Sequence, residues 1–499
     1  DYCPETIHGR DSLHIVTQII IQNPTNYIHQ QPPSSTPVHI KSINDKAELI
    51  NRPRQRNYNS VSTPQHSTIS PIHNNSVQTT TTIHQYHQYE KFIDLSTQNC
   101  LFGYRVVQYY SYEQKQLTPL LCGFFSSYLI HKKQEKHKIT YCSPINESPT
   151  SREAALAILK TTKSQLIDSG LQKQAIIIMD EGMYQAVIKV KDQQPKEFQD
   201  VFILAGDFHA LKTYMIMVWK VLAGSGIHEL LGNIYQGATL RSILEVTNFN
   251  KSLRATKLLY TALSILCIEN FITSTSALSS SQSIPSTFDQ LPSYYATDEK
   301  KKQWFTSLLE IIHRSNLQEK YHEYSTTTSS TNIHFKFWYY ILNQLFQPCI
   351  ELLVAVRTQN FNARNAAWSK MVPMFFANNR FRYAKLGARN LADLQTMSDD
   401  LLQHLTRSFA VQRSDRAFSS IPVDQALECS INRLGKGRSG ITGRFSPQAV
   451  DRFCNTLVFR TMMHSIINEI ADIETRTNSI DAHIECQQSR MELDNHDLK

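Results

Sequence analysis

Two short apolar runs set the frame of the chain. Ala175–Met179 reads AIIIM and ends on Asp180, and 201–205 reads VFILA and ends on Gly206-Asp207-Phe208-His209. Between them, Gly182 and Met183 open a stretch with helical character. The pattern predicts a buried strand, a helix and a second buried strand. In open α/β sheets, sites are built at the carboxyl ends of the strands. The β-branched stretch SLHIVTQIIIQ at 12–22 predicts a further strand, and 138–144 a short one. Residues 101–111, LFGYRVVQYYS, fit a strand or a buried helix, and periodicity does not decide between them. A helix is signalled over 148–170: Ser148 or Thr150 as N-cap, Glu153 in the first turn, Gly170 as the stop.

From Ala210 onward the pattern turns helical. Two Ser/Thr-rich stretches, 273–287 and 325–331, read as loops within it. An aromatic-rich buried helix is predicted over 334–356, further helix over 384–408, and helix again over 447–486. In 421–444, IPVDQALECSINRLGKGRSGITGR, the first half is a helix with Asp424 and Glu428 four apart, hence on one face. The second half is a Gly-rich basic loop. Residues 23–90 are rich in Pro, Ser, Thr, Asn, Gln and His, and such a composition buries little. The expected organisation is 1–22 as first strands, 23–90 as a low-complexity insert, and 91–209 as the rest of an α/β core. A helical insertion follows over 210–408, then C-terminal helices over 409–486 and a tail over 487–499.

Composition narrows the class. A chain of 499 residues with 41% apolar and 19% charged residues can bury a large core. A net charge of +8 permits a polyanionic partner without demanding one. Nine cysteines with no C-x-x-C exclude a zinc ribbon and fit a reducing, intracellular compartment. The apolar run Leu258–Ile268 is too short for a bilayer, which needs roughly 20 residues, so no membrane is expected. Asp1 opens in mid-motif without a starting Met, and the sequence reads as a fragment.

Asp180 and Asp207 lead the candidate chemistry. Neighbouring carboxylates at strand ends are what divalent-metal phosphoryl chemistry needs, with two Mg²⁺ ions held about 4 Å apart. The plainer reading is that acidic residues suit turns and N-caps, and for Asp207 capping the next helix is the expectation. Glu428 brings a third carboxylate back to the strand ends, or is a solvated helix charge. The loop with Arg433, Lys436, Arg438 and Arg444 offers guanidinium groups and backbone amides to phosphates, or is a polar turn; it is not a Walker loop. Lys251, Arg254 and Lys257 lie at helical spacing and form either a basic stripe toward nucleic acid or a solvated face. His66, His73, His84 and His87 sit in the low-complexity stretch without metal-site spacing, and Met215 and Met217 read as core filling.

Several motifs in order resemble an uncharacterised family of long animal and fungal proteins, often linked to mobile elements and carrying a domain of unknown function. Its opening Asp motif, Glu-Thr-Leu, Gly and Thr-x-His are matched by Asp1, Glu5-Thr6-Ile7, Gly9, and Ser12 with His14. Its Gly-x-Phe-His is Gly206 to His209, and its Tyr-Asn-Arg-Gly-x-Arg-Ala resembles Phe249 to Ala255. Its Asp-Gln-Ala-x-Glu-Gln is Asp424 to Cys429, followed by Asn432, Lys436 and Ser439-Gly440. The order of elements is similar to the ribonuclease-H-like core of cut-and-paste transposases, an analogy at the level of fold. It implies an α/β fold, a mixed sheet with flanking helices and a large all-helical insertion. It further implies Asp1, Asp180 and Glu428 as catalytic metal ligands for Mg²⁺ or Mn²⁺, His209 as a positioning group, and DNA as partner in the nucleus. The expected function is metal-dependent DNA-strand cleavage or transfer. The alternative is a catalytically inactive, repurposed DNA- or protein-binding scaffold.

Overall fold

The computed structural model describes residues 19–22, 94–131, 136–141, 150–274 and 283–429, except 294, 396, 413 and 415, together with residue 466. All of these belong to the unit formed by 1–24 and 91–499. Asp1, the insert expected over 23–90, the basic loop from Arg433 to Arg444 and the helix expected over 447–486 fall outside the described residues, apart from 466.

Strand β1 (Ile19–Gln22) pairs antiparallel with β2 (Lys138–Tyr141). Between them come α1 (Leu95–Glu113) and α2 (Leu121–Tyr128). The undecided stretch 101–111 is therefore helix: Asp94 caps α1 by accepting from Ser96 N–H at 3.2 Å, and nearly the whole stretch is buried. Helix α3 (Arg152–Thr162) starts where expected, but Ser151 is the cap, its Oγ accepting from Ala154 N–H at 3.0 Å. Then come β3 (Ala175–Met179), α4 (Glu181–Gln193) and β4 (Val201–Ala205), with β3 and β4 parallel and in register from Ala175↔Val201 to Met179↔Ala205.

The rest of the described chain is almost all helical. It runs through α5 (Asp207–Val221), α6 (Ile227–Ile234), α7 (Gly237–Leu244), α8 (Phe249–Ser274), α9 (Ser283–Phe288), α10 (Asp298–Arg314) and α11 (Leu317–Thr331). Next are α12 (Ile333–Tyr340), a wider π-type segment (Ile341–Phe346), α13 (Gln347–Thr358), α14 (Phe361–Ala377), α15 (Phe381–Gln395) and α16 (Asp399–Ser408). A short antiparallel pair, β5 (Ala410–Val411) and β6 (Ile421–Pro422), leads into α17 (Val423–Leu427). The Ser/Thr stretch 325–331, expected as a loop, is the second half of α11. Tyr321 and Ser325, one turn apart, are buried against the core, and packing overrides the weak helix preference of Ser and Thr. Helix α8 is long and apolar enough to cross a bilayer, yet most of its apolar window is buried inside the fold.

The mixed ribonuclease-H-like sheet is not what the chain builds. Among the described residues the strands form three separate two-stranded sheets, and the architecture is mainly helical. The outer edge of β4 explains why no third strand joins there. Ala205 N–H donates to Asn390 Oδ1 on α15 at 3.3 Å, and the Ala205 carbonyl accepts from Arg364 Nη2 on α14 at 3.1 Å. Lys191 Nζ donates to the Val201 carbonyl. Side chains from three helices thus occupy ladder groups that a neighbouring strand would have used.

Candidate functional site

The carboxyl ends of β3 and β4 carry the densest polar cluster next to the strands, and each member is placed by a local backbone requirement. Asp180 follows β3 with extended backbone and N-caps α4, its Oδ1 accepting from Met183 N–H at 3.0 Å. This leaves α4 with a negative charge at its positive end. At the end of β4, Gly206 rather than Asp207 is the N-cap of α5. Asp207 is the first helical residue and turns inward, only 3% exposed. Arg364 Nε lies 2.9 Å from both of its oxygens, and Trp368 Nε1 donates to Oδ1 at 2.7 Å. Burial raises the Asp207 pKa, and the Arg364 guanidinium opposes it. The expectation that Asp207 caps α5 is corrected: its oxygens are turned to Arg364 and Trp368.

The missing cap comes from 215 residues away. Asp424, on α17 and 6% exposed, accepts from Phe208 N–H at 3.1 Å through Oδ1 and from His209 N–H at 3.0 Å through Oδ2. Oδ2 also lies 3.0 Å from His209 Nδ1. One carboxylate therefore satisfies two first-turn amides of α5 and orients the imidazole. Gly206 makes room for it: a Cβ there would stand 2.5 Å from Asp424 Oδ2. His209 Nε2 points the other way, 3.9 Å from Glu428 Oε1, with the His and Glu side chains 25% and 21% exposed. Burial alone would lower the His209 pKa. The bond to Asp424 and the charges of Asp424, Asp180 and Glu428 outweigh it, so the net shift is upward.

Of the expected site residues, Glu428 lies 3.9 Å from the His209 imidazole and Asp180 is within its electrostatic reach. Asp1 and the group Arg433, Lys436, Arg438 and Arg444 lie outside the described residues. Lys251, Arg254 and Lys257 are on the first turns of α8. Lys251 is exposed, while Arg254 donates to Tyr235 Oη and lies over that ring. Among the described residues no three His, Cys, Asp or Glu side chains converge to hold a metal ion. Two of the three ligands that the resemblance implies, Asp180 and Glu428, are among the described residues, and the third, Asp1, is not.

Sequence reasoning placed Asp424 on the same face as Glu428 but did not assign it to the site. It missed Arg364, Trp368 and Asn390 altogether. A usable signal existed: residues 352–392 contain seven Lys or Arg and no Asp or Glu, so any of these cations that is buried must find its carboxylate elsewhere in the chain.

No curated protein and no solved structure matches the chain. The domain of unknown function DUF8702 matches residues 122–499, well over half the length, and covers every side chain of the cluster just described. The chain therefore belongs to the family defined by that domain of unknown function.

Proposed function

We propose that the chain cleaves or transfers a DNA phosphodiester, with His209 as the general acid–base group and Asp424 as the residue that orients it. One observation carries the reading. A buried carboxylate bonded to the Nδ1 side and to the residue's own backbone N–H fixes the ring, while Nε2 lies 3.9 Å from Glu428 Oε1 and the side chain keeps a quarter of its surface exposed. Such a carboxylate selects the tautomer and stabilises the imidazolium that forms when Nε2 accepts a proton. In the step, Nε2 takes the proton of water or of a 3′-hydroxyl as its oxygen bonds to phosphorus. The P–O bond to the leaving strand breaks, and the proton is returned to the leaving oxygen. Glu428, beside Nε2, holds the imidazolium after the first transfer. The net positive charge of the chain suits a polyanion. The proposal keeps the mobile-element ancestry, the DNA substrate and the nuclear location of the sequence reading, and it drops the ribonuclease-H-like core.

The test is incision of labelled oligonucleotides by wild type, His209→Gln and Asp424→Asn, each with Mg²⁺ and with EDTA. The expected result is no turnover for His209→Gln and a loss on the order of 10²–10⁴-fold for Asp424→Asn. Incision that survives both substitutions overturns the reading. A second reading, the non-catalytic scaffold, is favoured by the fact that Asp180, Asp207 and Asp424 all have structural partners. It expects oligonucleotide binding without incision by any form.

A further inference from the structure

The hairpin of α14 and α15 carries most of the acid-free run. Of the run's seven cations Arg357 is on α13, and of the hairpin's six three are closely paired with carboxylates from elsewhere: Arg364 with Asp207, Lys370 with Glu351 at 2.7 Å, and Arg389 with Asp192 at 2.7 Å. Arg380, Arg382 and Lys385 cluster at the turn between the two helices. Arg382 is 83% exposed, with Glu181 at 3.9 Å. Lys385 is exposed, and among the described residues no ion pair joins it or Arg380 to a carboxylate. Two aromatic rings flank these cations with much of their surface in solvent, Phe376 at 43% and Phe381 at 52%.

The turn is also held rigidly. Asn379 adopts the left-handed conformation at φ 58. Arg380 N–H reaches the Phe375 carbonyl at 2.8 Å and Asn379 N–H the Phe376 carbonyl at 3.3 Å, the two bonds of a Schellman closure. Gly387 lets the helices touch, since a Cβ there would stand 2.5 Å from Val372. Asn390 ties α15 to β4, and Arg364 and Trp368 tie α14 to Asp207. Arg382 stands over Glu181, the residue after Asp180, and Tyr383 lies within electrostatic reach of Asp180 and Asp424.

We propose that the α14–α15 turn is a contact surface for single-stranded nucleic acid, with Arg380, Arg382 and Lys385 on the phosphates and Phe376 and Phe381 stacking on bases. The exposed rings decide for single strands, because duplex bases are covered and single-stranded ones stack freely on aromatic faces. The cations supply sequence-independent affinity. The polar tip, Asn378-Asn379, and the lack of an aliphatic stripe fit this partner better than a lipid surface. The proposal deepens the DNA reading by naming how a strand reaches His209, yet its test is binding, not turnover.

The experiment uses the full chain and fluorescence anisotropy with oligo(dT) and oligo(U) across a salt series. Two variants are compared with wild type: Arg380→Gln/Arg382→Gln/Lys385→Gln and Phe376→Ala/Phe381→Ala. Circular dichroism checks that each is folded. The expected result is a loss of ten-fold or more for each variant. The slope of log affinity against log salt should also fall by about two in the triple variant, as three phosphate contacts on a single strand require. Oligo(dT) preferred to oligo(U) assigns the surface to DNA, and the reverse to RNA; either supports it. Unchanged affinity in both variants overturns it. So does a wild type that ignores both oligonucleotides but binds anionic phosphatidylserine vesicles through the same cations. Binding lost in the variants while no form incises DNA sinks the catalytic reading alone.

Discussion

Two buried polar networks in this molecule use the same residue types to opposite ends. Deep among the helices, Arg105 is 4% exposed and spends its guanidinium on neutral acceptors: Tyr260 Oη at 3.0 Å, Asn343 Oδ1 at 3.0 Å and Gln347 Oε1 at 2.6 Å. Gln347 passes the contact to Glu351 at 2.7 Å, and Lys370 meets that carboxylate from the other side. The network joins α1, α8, α13 and α14, and its donors are turned inward. At the ends of β3 and β4, the Arg364–Asp207 pair is closed in the same way, but the adjoining Asp424–His209 pair is not. Asp424 is consumed by three donors from one helix turn, and the ring it holds has Nε2 3.9 Å from Glu428 Oε1. A network that ends inside the protein fixes helices against each other. One that ends on an oriented imidazole with a quarter of its side chain exposed leaves a titratable group at the protein's edge. That difference, rather than the count of charged residues, makes the β3–β4 edge the candidate site.

Removing the closed half of the edge should have the largest effect. Asp207→Ala leaves Arg364 buried without its carboxylate, and breaking such a pair costs about 3–5 kcal/mol. Urea unfolding measures it. A loss under about 1 kcal/mol would show that Arg364 finds water in the variant, and the contrast between closed and open networks would fail. Gly206→Ala should cost less, about 1–3 kcal/mol, the usual range for overpacking. Its more telling readout is the imidazole. The new Cβ pushes Asp424 away from α5, and an NMR titration should find the His209 pKa lower than in wild type. A wild-type pKa in a folded Gly206→Ala protein would mean that Asp424 does not set it.

Much of this edge was legible in the sequence, and the reasons are local. AIIIM and VFILA are β-branched and apolar, so two strands were visible in their own residues, although Ile176, Ile177 and Ile178 in the middle of β3 are only half-buried. Asp424 and Glu428, four apart, had to share a helix face, and both do meet His209. The number of strand neighbours was not legible. Whether β4 gains a third strand depends on single side chains, Asn390 at 185 residues' separation and Arg364 at 159, that take its edge groups. No periodicity announces such a contact. The role of Asp207 was hidden for the same reason, since its partners stand on another helix. Gly206 was readable as a turn glycine, but not as the space that another residue's carboxylate fills.

The smallest effect concerns the open pair and separates its charge from its shape. The His209 pKa is raised in the fold above its ordinary value near 6.5. A group whose pKa is raised by folding binds its proton more tightly in the native state. Its contribution to stability is full below the unfolded pKa and is lost as pH rises through the folded one. Stability should therefore fall across a window that opens near pH 6.5 and closes above the folded pKa. In His209→Gln, which keeps a side chain able to donate toward Asp424, that slope should be absent. The difference between the two urea-unfolding curves against pH isolates the single group from other titrations. Parallel curves would mean that Asp424 holds the neutral ring as well as the charged one. The pair would then hold together without an imidazolium, and the open network would lose the second charge that distinguishes it.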